Sequence, residues 1–271
     1  MLRSTAGFLA VTTLKILAFL PPKIIVALGT PLLPVYALFR IQIRLRLKHA
    51  GVRVSHPLTP FAYYRTRLKL AAVSLRHLTG KYDDMPVQVE GEDLYDAALA
   101  TGKPVVLLGW HQGPVELLHR IPYNDGRPFY IITAAGFASP LSRLLERGRE
   151  RDGKQVVASE DVHHALRNLV RKSGVLAVMV DQVPGQPSDF FSLWNDSVQI
   201  PRTAELLTWL KNREAIFLAV TVRLEKNDSI LFRYQPVDPD ESLELLLEKS
   251  VEEDPSQYNW SYPKIRIRER K

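Results

Sequence analysis

The sequence contains no cysteine among its 271 residues. Disulfide bonds, a thiolate nucleophile and cysteine-ligated metal sites are therefore excluded. If the chemistry of this protein uses a thiol, that thiol belongs to a substrate. The sequence also lacks a Gly-x-Ser-x-Gly elbow, which disfavours a serine hydrolase.

A long uninterrupted apolar run is missing too, although the N-terminus is strongly apolar. No charged residue lies between Ile24 and Phe39, but Pro31 and Pro34 interrupt that stretch, and a spanning helix needs about 20 apolar residues. The pattern fits an interfacial or re-entrant hairpin as well as a spanning helix, and a buried hydrophobic hairpin is the plainer alternative. We predict a membrane anchor or interfacial hairpin over residues 1–40 and one catalytic domain over residues 41–271.

The charge of the chain is unbalanced, with a formal net charge of +7. Such a charge indicates anionic partners, which include nucleic acid, an anionic bilayer and a phosphorylated substrate. By the positive-inside rule, the cations after the apolar segment would hold the next domain on the cytoplasmic side, where they could bind anionic headgroups. The apolar N-terminus makes a membrane a better explanation of this charge than nucleic acid. These cations are Arg40, Arg44, Arg46, Lys48 and Arg53.

Short β-rich apolar runs alternate with segments of helical spacing in the rest of the chain. We predict strands at Pro104–Gly109, Phe129–Thr133, Gln155–Ala158, Val175–Val180, Ala215–Arg223 and Ser229–Tyr234. We predict helices at Phe61–Leu78, Asp93–Ala100, Pro140–Arg151, Val162–Lys172, Thr203–Asn212 and Glu241–Glu252. The predicted fold class is α/β, with a mostly parallel central sheet flanked by helices and an N-terminal hydrophobic membrane-associating helical segment.

Active residues of parallel sheets tend to follow the C-terminal ends of strands, and His111 and Asp181 both follow predicted strands. Gly113 and Pro114 come after His111, and proline is favoured at the first helical position. A helix starting at Pro114 would carry Glu116 in its first turn, and His111 could fold back onto that carboxylate. The pair would then be a general base and its orienting acid, without a protein nucleophile.

Other interpretations of these residues remain open. His111 could be an ordinary hydrogen-bonded histidine at the sheet edge, with Glu116 placed favourably against a helix dipole. A metal site on His111, Glu116 and His119 is weaker because no His-Glu-x-x-His motif occurs, and we predict no metal.

Several segments in order resemble the late acyltransferases of lipid A biosynthesis, the lauroyl and myristoyl transferase family of the lysophospholipid acyltransferase-like superfamily. They are His111–Glu116, which matches the His-x4-Asp/Glu motif, Ser139–Leu141 with Arg149 to Arg151, Asp181–Gln182, Phe190–Phe191, Arg223 and the ending Pro255–Trp260. After Trp260 the chain has Ser261 to Lys264 in place of the family's basic run, so the acceptor stays open.

The resemblance implies transfer of a fatty acyl chain from a carrier thioester to a hydroxyl of a lipid A precursor or a similar anionic glycolipid. It implies no cofactor, with acyl carrier protein or coenzyme A thioester as co-substrate, and work at the cytoplasmic face of the bacterial inner membrane. Alternatives are a glycerolipid or phosphatidylinositol-mannoside acyltransferase on the same fold, and a membrane-bound lipid-binding scaffold without turnover. No nucleic-acid partner is predicted.

The resemblance also extends the set of candidate residues. His111 and Glu116 are the predicted catalytic pair. The predicted substrate-binding residues are Arg149, Arg151, Asp181, Gln182 and Arg223, and the candidates for an acyl-chain groove are Phe190, Phe191 and Trp194. The plain alternatives are a solvated basic helix end for the arginines, a turn residue for Asp181 and ordinary core packing for the aromatic residues.

Overall fold

A computed structural model of the chain describes residues 12–13, 16–38, 43, 46–48, 58–79, 85–121, 126–133, 146, 148–150, 153–158, 161–182, 189–194, 198–240, 242–262 and 265–267. The helices are α1 (Pro22–Gly29), α2 (Leu33–Leu38), α3 (Pro60–Leu78), α4 (Glu92–Ala100), α5 (Val162–Arg171), α6 (Ala204–Lys211) and α7 (Leu243–Glu253), with 3-10 helices at Thr30–Leu32 and Val115–Arg120. The strands are β1 (Val87–Glu90), β2 (Val105–Gly109), β3 (Phe129–Thr133), β4 (Gln155–Ala158), β5 (Val175–Met179), β6 (Phe190–Leu193), β7 (Val198–Pro201), β8 (Ile216–Leu224), β9 (Ile230–Pro236) and β10 (Arg266–Ile267).

The main sheet in the described residues has seven strands in the order β1-β9-β8-β2-β5-β3-β4. Neighbouring strands run parallel except for β8 and β9, which form an antiparallel hairpin. The predicted α/β class with a mostly parallel central sheet is therefore confirmed. The predicted strands at Phe129–Thr133 and Gln155–Ala158 agree residue for residue with β3 and β4.

Strand β2 lies in the middle of this sheet, and every residue of it is buried. Successive side chains of a strand point to opposite faces. Val106 and Leu108 accordingly belong to one hydrophobic cluster, together with buried residues of α5, α6 and α7. Val105 and Leu107 belong to a second cluster, together with residues of α4 and the 3-10 helix at Val115–Arg120. A strand covered on both faces reads as a continuous apolar run, as this one does.

A second, antiparallel sheet has the order β10-β7-β6. None of its three strands is among those predicted from the sequence, because they are short and depend on contacts with one another. β6 contains Phe190 and Phe191, and it packs near α7, where Glu244 and Glu248 accept hydrogen bonds from the main-chain N–H groups of Ser192 and Trp194.

The described part of the N-terminal segment forms α1, α2 and the short 3-10 helix between them. These elements lie along α3, and a Cβ atom added at Gly29 would meet the side chain of Leu68. Lys23 of α1 and Lys69 of α3 both form ion pairs with Asp228 in the β8–β9 turn. None of the helices in the described ranges is long and apolar enough to cross a bilayer.

The helix predicted at Pro140–Arg151 lies largely outside the described residues. The start predicted for the helix after His111 needs correction, because Pro114 is the N-cap residue of a 3-10 helix that begins at Val115. Glu116 does lie in the first turn of that helix.

Candidate active site

His111 lies just beyond the C-terminal end of β2, and the register of the sheet determines what lies beside it. In the parallel pair β2–β5, Gly109 is opposite Met179. Continuing the register by two residues along each strand brings His111 next to Asp181. Two strand ends that are far apart in the sequence thus meet at one edge of the sheet, as expected for an α/β site.

The Asp181 carboxylate is held by hydrogen bonds at both of its oxygens. Oδ1 lies 2.8 Å from Nδ1 of His111, and Oδ2 accepts a hydrogen bond of 2.9 Å from the main-chain N–H of the same residue. The Tyr258 hydroxyl donates to Oδ2 at 3.0 Å. The Asp181 side chain is 0% exposed, whereas that of His111 is 25% exposed. The carboxylate is therefore shielded from water, and the imidazole stays accessible.

Tyr258 is a dependable donor in this arrangement. Burial raises the pKa of its hydroxyl well above the ordinary value of 10.0, and the nearby negative charge of Asp181 raises this pKa further. The hydroxyl therefore stays protonated at physiological pH and donates a hydrogen bond to Asp181. Tyr258 belongs to the Pro255–Trp260 ending that resembles the family, but the sequence alone predicts no role for it.

The C-terminal segment fixes the backbone of the His111 loop. The N–H of Gly113 donates to Gln257 O at 3.1 Å, and the N–H of Asn259 donates to His111 O at 2.8 Å. These hydrogen bonds enclose an antiparallel bridge between Gln112 and Tyr258. The Pro255–Trp260 ending thus positions the histidine and its loop.

Gln112 anchors the same loop from inside the core. Its Nε2 donates to Ser250 O at 2.7 Å, while its Oε1 accepts hydrogen bonds from Ser250 Oγ at 2.6 Å and Trp110 Nε1 at 3.0 Å. A buried amide with both ends satisfied holds a single conformation. The residue after His111 is therefore rigidly placed.

The predicted hydrogen bond between His111 and Glu116 is wrong in this structure. Glu116 forms a two-point ion pair with Arg149, with Nε–Oε2 at 2.8 Å and Nη2–Oε1 at 2.7 Å. Bidentate pairing with a guanidinium uses both carboxylate oxygens, and Asp181 already holds Nδ1 of His111. Burial lowers the pKa of Arg149, but the charge of Glu116 more than compensates, so the net pKa lies above the ordinary value.

The other predicted binding residues are spread over several environments. Gln182 follows Asp181, and its buried Nε2 has no hydrogen-bond partner in the described part of the chain. Arg223 pairs with Glu253 of α7, and its Cα lies beside Gly113, two residues after His111. Arg151 lies outside the described residues.

The aromatic groove candidates lie on or next to β6. Phe191 is fully buried in the main hydrophobic cluster, and Trp194 stacks on Trp260 with ring centroids 6.2 Å apart. Phe190 is half-buried, with the Arg266 guanidinium 4.2 Å from its ring centroid. These contacts agree with ordinary core packing for Phe191 and Trp194. An acyl-groove role for the three residues stays a prediction.

The arrangement has the parts of a base for proton transfer. In the tautomer with Nδ1 protonated, His111 would donate a hydrogen bond to Asp181 Oδ1, and the lone pair on Nε2 would be free to take a proton from a bound hydroxyl. The carboxylate then stabilises the imidazolium that forms. Among the described residues, no serine or threonine side chain is hydrogen-bonded to His111.

The residues of this site lie within a stretch of the chain that matches a known protein family. The family model described as bacterial lipid A biosynthesis acyltransferase matches residues 65–266, a range that includes β1 to β9 and the whole His111–Asp181–Tyr258 group. No curated protein matches the chain. The chain belongs to the bacterial lipid A biosynthesis acyltransferase family.

Proposed function

We propose that this protein is a membrane-surface O-acyltransferase that moves a fatty acyl chain from a carrier thioester to a hydroxyl of a lipid A precursor or a similar anionic glycolipid. The observation that supports this most directly is the fully buried Asp181 carboxylate on Nδ1 of the partly exposed His111 ring. That geometry suits a base that works on a substrate hydroxyl.

In the proposed reaction, Nε2 of His111 takes the proton of the acceptor hydroxyl as its oxygen attacks the thioester carbonyl carbon. A tetrahedral intermediate forms and then collapses, breaking the carbon–sulfur bond. The departing thiolate receives the proton from His111, so the products are an ester and a free thiol. The absence of cysteine from the chain is consistent with a thiol that belongs to the carrier.

Asp181 has the role that the sequence assigned to Glu116. It keeps the imidazole in the tautomer with Nδ1 protonated and stabilises the positive charge on the ring during proton transfer. Glu116, in the first turn of the 3-10 helix, holds the guanidinium of Arg149. A direct role of Glu116 in the reaction remains a prediction.

The proposed setting is the cytoplasmic face of a bacterial inner membrane, with an acyl carrier protein as donor. Support comes from the apolar side chains that α1, α2 and their surroundings leave exposed, which include Phe19, Leu28 and Leu32. Apolar side chains and neighbouring cations are the combination that binds an anionic interface.

An acyl-transfer assay tests this proposal. Purified protein is given a labelled acyl carrier protein thioester with, in turn, a lipid A precursor, a phosphatidylinositol mannoside and a lysoglycerolipid. We expect transfer to the lipid A precursor and a loss of at least about a hundredfold in His111→Ala. The exposed His164 of α5 provides the matched control, and His164→Ala should keep full activity. Near-normal transfer by His111→Ala would exclude this base.

The same assay separates the alternatives. Transfer only to the mannoside or the lysoglycerolipid would keep the chemistry and change the acceptor. Binding of lipid without transfer of label from any donor would indicate a lipid-binding scaffold.

A further inference from the structure

Arg67 of α3 has no role in the proposed reaction, and it lies against the loop that carries His111. Its Nη1 donates to Gln257 O at 3.4 Å. The same carbonyl oxygen accepts the N–H of Gly113, two residues after His111. Arg67 is therefore one main-chain carbonyl away from the backbone of the candidate active site.

The charge of Arg67 has no counter-ion among the residues that the structure describes. Its side chain contacts the Gln257 carbonyl and lies near Tyr63, and neither is a carboxylate. Arg149 and Arg223 differ from it, because they are paired with Glu116 and Glu253 respectively. Burial lowers the pKa of Arg67 below its ordinary value, and Tyr63 compensates only in part.

In the part of the chain that the structure describes, most N–H donors of the Arg67 guanidinium also have no hydrogen-bond partner. A guanidinium has five N–H donors in a planar fork, and the contact with Gln257 uses one of them. The side chain is partly buried, yet none of its nitrogens is among the sealed and unpartnered atoms of the described residues. The remaining donors therefore face space that solvent, or a ligand, can enter.

We propose that Arg67 binds a phosphate group of a substrate beside the His111 loop. A planar fork of N–H donors matches two phosphate oxygens. A bound anion would supply the counter-charge that Arg67 lacks among the described residues. This inference rests on the proposed function, since two substrates of that reaction can carry the phosphate. One is a phosphorylated acceptor glycolipid, and the other is a donor whose thioester arm contains a phosphodiester.

The family resemblance implied substrate binding by Arg149 and Arg151, but Arg149 is paired with Glu116 in the structure. An arginine whose charge is left uncompensated next to the site is better suited to recruit an anionic substrate. A partly buried charge that has no counter-ion among the described residues lowers the stability of the free protein, as binding residues often do.

The test compares Arg67→Gln and Arg67→Lys with the wild type and with Arg65→Gln as a matched control. Arg65 lies on the same helix but is exposed. Binding to detergent micelles is measured for a phosphorylated lipid A precursor and for the same precursor after phosphatase treatment. KM is measured for acceptor and donor. Circular dichroism reports the fold, and we expect the Tm of Arg67→Gln to equal or exceed that of the wild type.

If the acceptor provides the phosphate, Arg67→Gln should bind the phosphorylated precursor about ten- to a hundredfold more weakly, while the dephosphorylated form binds as it does to the wild type. If the donor provides it, the donor KM should rise by a similar factor and acceptor binding should not change. Arg67→Lys should show a smaller loss of the same kind, since it keeps the charge without the fork.

Unchanged binding and unchanged KM values in folded Arg67→Gln would overturn the proposal, as would an equal loss for both forms of the precursor with no change in donor KM. If the wild type prefers the phosphorylated precursor through Arg67 but no variant or wild type transfers an acyl group, the phosphate site stands and the proposed function fails.

Discussion

Asp181 is a fully buried carboxylate, and such a charge persists in a protein only where donors surround it. The His111 main-chain N–H, the His111 ring and the Tyr258 hydroxyl supply these donors. Two of them come from the histidine itself, so the carboxylate fixes both the backbone and the ring of the same residue. Tyr258 is the donor that comes from elsewhere in the chain.

Substituting Tyr258 by phenylalanine removes this outside donor and little else. We expect kcat to fall roughly ten- to a hundredfold, with KM nearly unchanged, because one hydrogen bond to a charged carboxylate is worth about 1.5–3 kcal/mol. Steady-state kinetics of acyl transfer would measure the change. Tyr130→Phe, at a buried tyrosine of β3, is the control that should leave kcat unaltered. An unaffected kcat in Tyr258→Phe would show that the hydroxyl does not act through Asp181.

At the scale of single residues, the sequence identified both members of the central pair but not their contact. His111 and Asp181 were each predicted to follow a buried strand. Glu116 was predicted as the partner because it is close along the chain. The spacing of residues along the chain does not show which strands are neighbours in the sheet. The pairing of β2 with β5 brings Asp181 next to His111. Likewise, that Arg67 has no carboxylate partner in the described part of the chain becomes visible only once α3 is packed.

At the scale of elements, the His111 loop is held between β8 and the C-terminal segment. Gly113 has φ of +69°, and a Cβ atom placed there would lie 1.9 Å from Val222 O. Only glycine fits such a close approach to another main chain. The loop, the end of β8 and the Pro255–Trp260 ending therefore form one packed unit around the histidine.

Gly113→Ala tests this unit, and Gly102→Ala is a closely matched control. Gly102 has φ of +70°, but nothing lies within 4 Å of an added Cβ atom. Gly102→Ala should cost only the backbone strain of about 1–2 kcal/mol. Gly113→Ala should lower the free energy of unfolding more than that and should also reduce kcat, because the loop has to move. Denaturant unfolding and kinetics measure both effects.

Equal destabilisation by the two substitutions, with activity kept, would mean that the approach of Gly113 to β8 does not position His111.

Element prediction succeeded where the apolar signal was strong. The strands of the central sheet with continuous apolar runs, such as β2 and β5, were found within one or two residues. The missed strands had weaker signals. β1 has the sequence Val-Gln-Val-Glu and is exposed along its length, and it owes its place to parallel pairing with β9. β6, β7 and β10 depend on contacts with one another and with α7, which no local pattern reveals.

At the scale of the whole molecule, the described N-terminal helices carry exposed apolar side chains on the outside of α3. Leu28 and Leu32 are 64% and 69% exposed, and Lys23 lies close by in the sequence. Exposed apolar residues that occur together, rather than singly, mark an interaction surface. Under the proposed function, this surface would contact a membrane that contains the acceptor lipid.

A vesicle flotation experiment tests this attribution. Replacing Leu28 and Leu32 together by aspartate should weaken binding to vesicles that contain an anionic phospholipid by at least about tenfold, because each leucine contributes roughly 1.5–3 kcal/mol when it leaves water. Leu245→Asp on α7, where the leucine is 67% exposed, is the control and should leave binding unchanged. Equal binding by all three proteins would place the membrane contact elsewhere.

The central claim is that Asp181 acts on the reaction through His111, and a double-mutant cycle on kcat for acyl transfer tests it most directly. His111→Ala, Asp181→Asn and the double variant are compared with the wild type under saturating donor and acceptor. We predict a loss of at least about a hundredfold for Asp181→Asn and no further loss when it is added to His111→Ala, since residues that work as one unit are not additive. Near-normal turnover of Asp181→Asn, or losses that multiply in the double variant, would contradict the account.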